Sequence, residues 1–297
     1  MLLQLFQNHP TFWLASAALV SLLVGSFLNV VIGRLPKAMY KEWQQECRLI
    51  LDIKPEPEPE LNTSKQAISS PALAAIAWPG SHCPSCQTPL KAWHNIPIIS
   101  YLLLQGHCAF CNNKISLRYP LVELLTATLG LLIAWVMGPS MAALMGLLLL
   151  YCLIALAFID LDHKLLPDQL TLPLLWLGLV VNALGIITPL EAALWGAIAG
   201  YLSLWLVYWG FRLATGKHGM GYGDFKLLAA LGAWMGWQAL PMIVLMAAVA
   251  GIIVGISLRL RSQKTDPQMP FGPFLAIGGF AYLLVGQQIW LTFNSVF

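Results

Sequence analysis

Cys83-Pro84-Ser85-Cys86 and Cys108-Ala109-Phe110-Cys111 are two C-x₂-C knuckles, and their flanks repeat as well, His82 before the first and His107 before the second. Four thiolates at this spacing suit a tetrahedral zinc ion with no open position, a structural and not a catalytic arrangement. Two alternatives stand beside it. A thioredoxin-like redox pair would need a strand–helix–strand context that the sequence lacks, and four free thiols would need no partner at all. His82, His94 and His107 are further possible ligands, but four cysteines already complete the set. Cys47 and Cys152 have no partner in sequence, and Cys152 lies in an apolar run where packing accounts for it.

A second chemistry is acidic. Phe158-Ile159-Asp160-Leu161-Asp162-His163-Lys164-Leu165-Leu166-Pro167-Asp168 and Gly221-Tyr222-Gly223-Asp224-Phe225-Lys226 each put aspartate at the edge of an apolar run. Ionisable residues at a membrane edge point to function. Two facing carboxylates suit water activation, because like charges a few ångströms apart retain one proton between them; one group is then acid and the other base. Asp160 and Asp224 are the candidate pair. Glycines before Asp224 permit tight backbone and close approach of an extended peptide. The plainer alternative makes these acids ordinary loop residues paired with Lys164 and Lys226. Asp162 and Asp168 are harder to separate from that reading than Asp160 and Asp224 are. No H-E-x-x-H helix, phosphate-binding G-x-x-x-x-G-K-[ST] or nucleophilic Ser with a His competes.

Composition says what must carry these groups. The chain has 297 residues, 58% hydrophobic and 10% charged, where about 25% charged is usual in a globular protein. Its mean hydropathy is +0.72. Disorder, a collagen-like fibre and a disulfide-rich secreted scaffold are excluded, and a net charge of +3 leaves no basic face for nucleic acid. The fold expected is an all-α polytopic membrane protein, embedded in a lipid bilayer, with a small cytoplasmic zinc-binding module. A crossing needs about 20 mostly apolar residues. Spans are expected near 12–32, 120–137, 141–160, 168–187, 191–211, 224–238, 241–258 and 271–292, about eight in all.

With the N-terminus outside, all sixteen Lys and Arg fall on the inside and Glu191 is the one acid outside, as the positive-inside rule requires. The short span 224–238 counts as a crossing because a re-entrant segment would put Arg259, Arg261 and Lys264 outside. Both aspartate groups and the cysteines then face a reducing cytoplasm, where disulfides are disfavoured. Three parts follow: 1–36 as a first transmembrane helix, 37–119 as a cytoplasmic segment, and 120–297 as a seven-helix membrane core. Within the cytoplasmic segment, Lys54-Pro55-Glu56-Pro57-Glu58-Pro59-Glu60 favours extended polyproline II and reads as a linker.

The sequence resembles the type IV prepilin leader peptidases, polytopic aspartic peptidases of the bacterial inner membrane. The likeness rests on Gly25-Ser26-Phe27-Leu28-Asn29-Val30-Val31-Ile32-x-Arg34-Leu35-Pro36, the paired knuckles, Ser116-Leu117-Arg118-Tyr119-Pro120-Leu121-Val122-Glu123, the Asp160–Asp168 block and Gly221-x-Gly223-Asp224-x-Lys226. The last also resembles the G-x-G-D motif of a wider group of membrane aspartyl proteases. The resemblance implies that Asp160 and Asp224 are the catalytic pair. It implies cleavage of the short basic leader of prepilins and pseudopilins after a glycine, on the cytoplasmic side. It further implies N-methylation of the new N-terminus, usually Phe, with S-adenosylmethionine. Members that methylate tend to carry the cysteine-bearing segment, and some members lack the cysteines, so zinc stands apart from the peptidase chemistry. Two rivals belong to other classes: a transporter or channel with Asp160 and Asp224 as an ion or proton site, and a non-catalytic scaffold that docks pilus assembly proteins through its zinc module.

Overall fold

A chain in lipid has no water to satisfy its backbone, which favours helices. All regular elements among the described residues are helical apart from two isolated β-bridges. The computed structural model describes residues 2–51, 76, 80–83, 85–91, 93, 96–217, 219–261 and 269–296, without the side chains of 2, 3, 261 and 287–296. The Lys54–Glu60 linker, His94 and Lys264 lie outside the described residues. The helices are α1 (Leu2–Asn8), α2 (Pro10–Ile50), α3 (Ile99–Leu103), α4 (Arg118–Met137), α5 (Met141–His163), α6 (Asp168–Ala183), α7 (Leu190–Thr215), α8 (Tyr222–Met235), α9 (Leu240–Arg261) and α10 (Gly272–Val296).

Five stretches among the described residues are long and apolar enough to cross a membrane: α2, α4, α5, α7, and α9 with the 3₁₀ turn before it. The expected eight crossings are therefore not confirmed. Helices of 16 residues in α6 and 14 in α8 reach only about 24 and 21 Å, short of a hydrocarbon core about 30 Å thick. The described side chains of α10 cover only the apolar stretch Gly272–Gly286. In contrast, α2 has 41 residues, about 62 Å of helix. Pro36 removes one helical hydrogen bond without ending it. The first span therefore continues past Pro36 as a helical stalk to Ile50.

Two apolar clusters share α5. Leu150, Ile154 and Ile159 pack with α2 and α4, while Leu149, Leu153 and Leu156 pack with α6 to α10 around α8. Small residues set the helix spacing in both, as expected where lipid removes the hydrophobic drive between helices. A Cβ on Gly25 would lie 2.9 Å from Glu123 Cα where α2 crosses α4, and one on Gly196 would lie 2.2 Å from the Gly232 carbonyl oxygen where α7 crosses α8. Helix α8 is short but enclosed: Leu227 through Met235 are all buried. The end of α8 is satisfied from outside the helix. Asn182 Nδ2 donates to the carbonyls of Ala233 (2.7 Å) and Trp234 (3.0 Å), and Trp234 Nε1 donates to Leu174 (2.8 Å).

Candidate functional site

Asp160 lies in the last turn of α5. The helix stops just beyond it because Lys164 takes the left-handed conformation, its amide donating to the Asp160 carbonyl at 2.8 Å. Leu165-Leu166-Pro167 then turns the chain, and extended Pro167 leads into α6. The Asp160 carboxylate is turned inward. It is 5% exposed, and its Oδ2 accepts the Gly272 amide at 2.9 Å, so it sits on the N-terminus of α10, where helix geometry favours negative charge.

Asp224 is the third residue of α8, whose first turn leaves amides unpaired. It is 7% exposed. Its Oδ2 lies on the side of Gly221, whose amide hydrogen-bonds the carboxylate. The Asp160 charge acts on Asp224 directly. The two aspartates from separate sequence motifs are therefore both buried and near enough to act on one another electrostatically. Among the described residues neither has a cationic partner.

Leu166 packs against the glycine next to Asp224 and the glycine that holds Asp160. A Cβ on Gly223 would lie 2.7 Å from Leu166 Cβ, and one on Gly272 would lie 3.2 Å from Leu166 Cδ2 and 2.6 Å from Asp160 Oδ2. The close approach that Gly223 permits is thus to the chain's own Leu166. At Gly221 an added Cβ would meet only Asp224 Oδ2, at 3.8 Å, and the Gly223 amide at 4.0 Å, which leaves space on that face. Gly272 was not singled out from sequence. Pro270-Phe271-Gly272-Pro273 is its local signal, a proline on either side of a glycine at the start of an apolar run.

The other two acids of the block behave as ordinary ion-pair partners. Asp162 pairs with Arg118 of α4, and Asp168 receives Lys226 Nζ on both carboxylate oxygens at 2.7 and 2.8 Å. Asp168 thus has the Lys226 partner of the plainer reading, and Asp162 is paired with Arg118 in place of Lys164.

The four expected cysteines also converge. The sulfurs of Cys83, Cys86, Cys108 and Cys111 lie within 4.8 Å of one another, with Cys83 and Cys111 3.9 Å apart. Zinc–sulfur bonds of about 2.3 Å put the edges of a tetrahedron near 3.8 Å, so the set fits zinc. The sequence repeat is a structural one. Cys83 and Cys108 each donate their amide five residues ahead, to Thr88 at 3.0 Å and Asn113 at 2.9 Å, and each accepts from four residues ahead. Gln87 and Asn112 take the same positive φ of 57°, and the bridges His82–Pro89 and His107–Lys114 close the two loops alike.

The backbone of each knuckle favours thiolate. Amides of Cys86 and Ser85 lower the Cys83 thiol below its usual range, and those of Cys111 and Phe110 lower Cys108. The Thr88 hydroxyl and amide lower Cys86. Cys111 has the Asn113 amide to stabilise its thiolate, but burial and the neighbouring sulfurs outweigh it and push the thiol up to about 11. Four such charges coexist only around a cation. His82 Nδ1 donates to the Gly80 carbonyl, 3.1 Å away, and takes no place among the four sulfurs.

Residues 19–137 match the bacterial peptidase A24 N-terminal domain and residues 147–256 match the type IV leader peptidase family. A protein of Pseudomonas aeruginosa named prepilin leader peptidase/N-methyltransferase is 50% identical over 293 residues, 98% of this chain and 97% of its own. Proteins of the same name from Aeromonas hydrophila (49%, covering 99% of each chain) and Neisseria gonorrhoeae (46%, covering 94% of this chain and 92% of its own) are similar at full length. The chain belongs to the type IV leader peptidase family. No solved structure matches it. In this family member the cysteines fall within the first match and both buried aspartates within the second.

Proposed function

We propose that Asp160 and Asp224 activate one water between them to cleave the basic leader from prepilins and pseudopilins after a glycine, and that the same chain then N-methylates the new N-terminus. As a member of its family, the chain is an aspartic peptidase and N-methyltransferase. The observation that carries the residue assignment is the contrast among the acids. Asp162 and Asp168 have cationic partners, while Asp160 and Asp224 are buried without one among the described residues.

In the mechanism that follows, the ionised carboxylate takes a proton from water as its oxygen attacks the glycine carbonyl, and the protonated carboxylate donates to the carbonyl oxygen. The tetrahedral intermediate then collapses. The C–N bond breaks and the leaving amine takes the proton held by the pair. The Gly272 amide keeps Asp160 oriented, and Leu166 covers the glycines on either side of the pair. Cys83, Cys86, Cys108 and Cys111 would hold zinc, which supplies fixed geometry and no step of the peptide cleavage. S-adenosylmethionine, when bound, would supply the methyl group for the new N-terminal amine.

The chain sits in the bacterial inner membrane with eight crossings and the dyad facing the cytoplasm. Its parts are a first transmembrane helix (1–36), a zinc-bearing segment (37–119) and the peptidase core (120–297). The distribution of all sixteen basic residues supports this arrangement. Purified protein incubated with a prepilin tests the reading: the product is expected to lose the mass of the leader and then gain about 14 Da, the mass of a CH₂. An intact substrate in the presence of folded enzyme would leave the ion-site rival as the better account.

A further inference from the structure

The turn between α5 and α6 is short and held at both ends. Lys164 closes α5, its amide on the Asp160 carbonyl at 2.8 Å. Pro167 opens α6, its carbonyl accepting the Leu170 and Thr171 amides at 3.0 Å and the Thr171 hydroxyl at 3.1 Å. Only Leu165 and Leu166 lie between these fixed points. Leu166 is packed into the cluster around α8, and Leu165 packs against the cluster of α2 and α4. The place of Asp168 is therefore tied to that of Asp160. On the facing helix, Asp224 and Lys226 stand on either side of Phe225, which is fully buried at the start of α8.

Lys226 Nζ donates to both Asp168 oxygens, at 2.7 and 2.8 Å, and this closes a ring. It runs from Asp160 through the turn to Asp168, across the ion pair to Lys226, and back two residues to Asp224. At the other end of α8, buried bonds tie it to α6: Trp234 to Leu174, and Asn182 to Ala233 and Trp234. At the dyad end the ion pair is the polar tie between these two helices among the described residues. The Lys226 and Asp168 side chains are 28% and 52% exposed, and a pair this exposed contributes little to stability. Its consequence is geometric. We propose, on the dyad reading above, that Lys226 and Asp168 are positioning residues whose ion pair sets the reach between the Asp160 and Asp224 carboxylates. Among the described residues neither bonds to an acid of the dyad, so they act through the backbone that carries the acids. Charge-assisted bonds to both oxygens hold the two helix ends in one register, and reacting groups misplaced by about 1 Å can lose about 100-fold in rate.

The test measures kcat and KM of leader release from a prepilin by full-length, zinc-containing protein in detergent. Lys226→Gln and Asp168→Asn are each expected to lower kcat by about 10–100-fold, with KM little changed. Their melting temperatures are expected to stay near wild type, because the pair is exposed. The double variant is expected to be no worse than either single, since all three lose the same bond. Lys226→Arg, whose fork matches a carboxylate, is expected to keep most of the activity. The two single variants change charge in opposite directions, so a purely electrostatic effect on the dyad would move their pH optima apart; a positional effect leaves both optima where the wild type has its own. Unchanged kcat in either single variant, a raised KM at unchanged kcat, a fall in melting temperature that parallels the lost activity, or pH optima that move apart would each overturn the positioning role. Asp224→Asn measured beside them separates the two readings. If it is inactive while Lys226→Gln is normal, the positioning role falls and the dyad stands; if it is active, both fall.

Discussion

Asp160 and Asp224 are each fixed by an amide at a helix N-terminus, Gly272 for the first and Gly221 for the second. Two carboxylates that share one proton act as a unit, so their losses are not additive. Asp160→Asn, Asp224→Asn and the double variant are each expected to lower cleavage by about 10³-fold or more, with the double no worse than either single. Asp162→Asn, which removes only the pairing with Arg118, is expected to stay within about tenfold, since exposed ion pairs contribute at most about 1 kcal/mol. Initial rates of leader release from folded variants check this, and wild-type rates are expected to follow a bell-shaped pH profile. Near-normal cleavage by Asp224→Asn would refute the dyad. Gly272 belongs to the same unit. Gly272→Ala brings a methyl to 2.6 Å from Asp160 Oδ2 and is expected to cost about 10–100-fold in kcat with KM little changed, the usual cost of a misplaced group. The acids were conspicuous in sequence because they stand at the edges of apolar runs, and the family resemblance set Asp160 and Asp224 apart from Asp162 and Asp168. Gly272 was not conspicuous, because its role lies in what its missing Cβ leaves room for, 112 residues along the chain from Asp160.

At the scale of elements, hydropathy located the helices well but misjudged their lengths. Spans near 120–137 and 141–160 correspond to α4 and α5, where long apolar runs coincide with long helices. The expected 168–187 is α6, which stops four residues short at Ala183, and the expected short span 224–238 is the 14-residue α8. The apolar residues of α8 are buried in protein, while α6 leaves Leu172, Trp176 and Val180 exposed, and hydropathy does not distinguish a lipid-facing residue from one enclosed by other helices. The device that encloses α8 is visible only in the fold: Gly196 and Gly200 of α7 lie against the backbone of α8 at Gly232 and Leu228. Gly196→Leu has no space to enter and is expected to lower the melting temperature of the detergent-solubilised protein sharply or to abolish folding, since two backbones would have to part. Gly210→Ala, on the same helix with nothing within 4 Å of an added Cβ, is expected to change it little. Equal behaviour of the two variants would mean that the α7–α8 crossing is not what holds α8 in place.

For the molecule as a whole, the division of labour follows from which helices carry which group. The dyad hangs on α5, α8 and α10, inside the cluster built around α8. The knuckles rest on α2 and α4, where Arg34 donates to the carbonyls of Ile76 (3.4 Å) and Gly80 (3.1 Å) and Glu123 receives the Ile98 amide. The topology is tested by reporters at Gly185 and Lys217, which are expected outside and inside respectively if α7 crosses between them. Removal of the metal tests the division. Four thiolates drawn together in a segment with little apolar mass need a cation to stay together, so a chelator strong enough to strip zinc is expected to expose residues 80–116 to limited proteolysis. Leader cleavage is expected to fall by less than about tenfold, because none of the groups around Asp160 and Asp224 touches a cysteine. Methyl transfer is expected to fall further than cleavage and to return when zinc is added back. Parallel loss of both activities at the same metal content would mean instead that the knuckles support the peptidase core itself, and the separation of the two sites would fall.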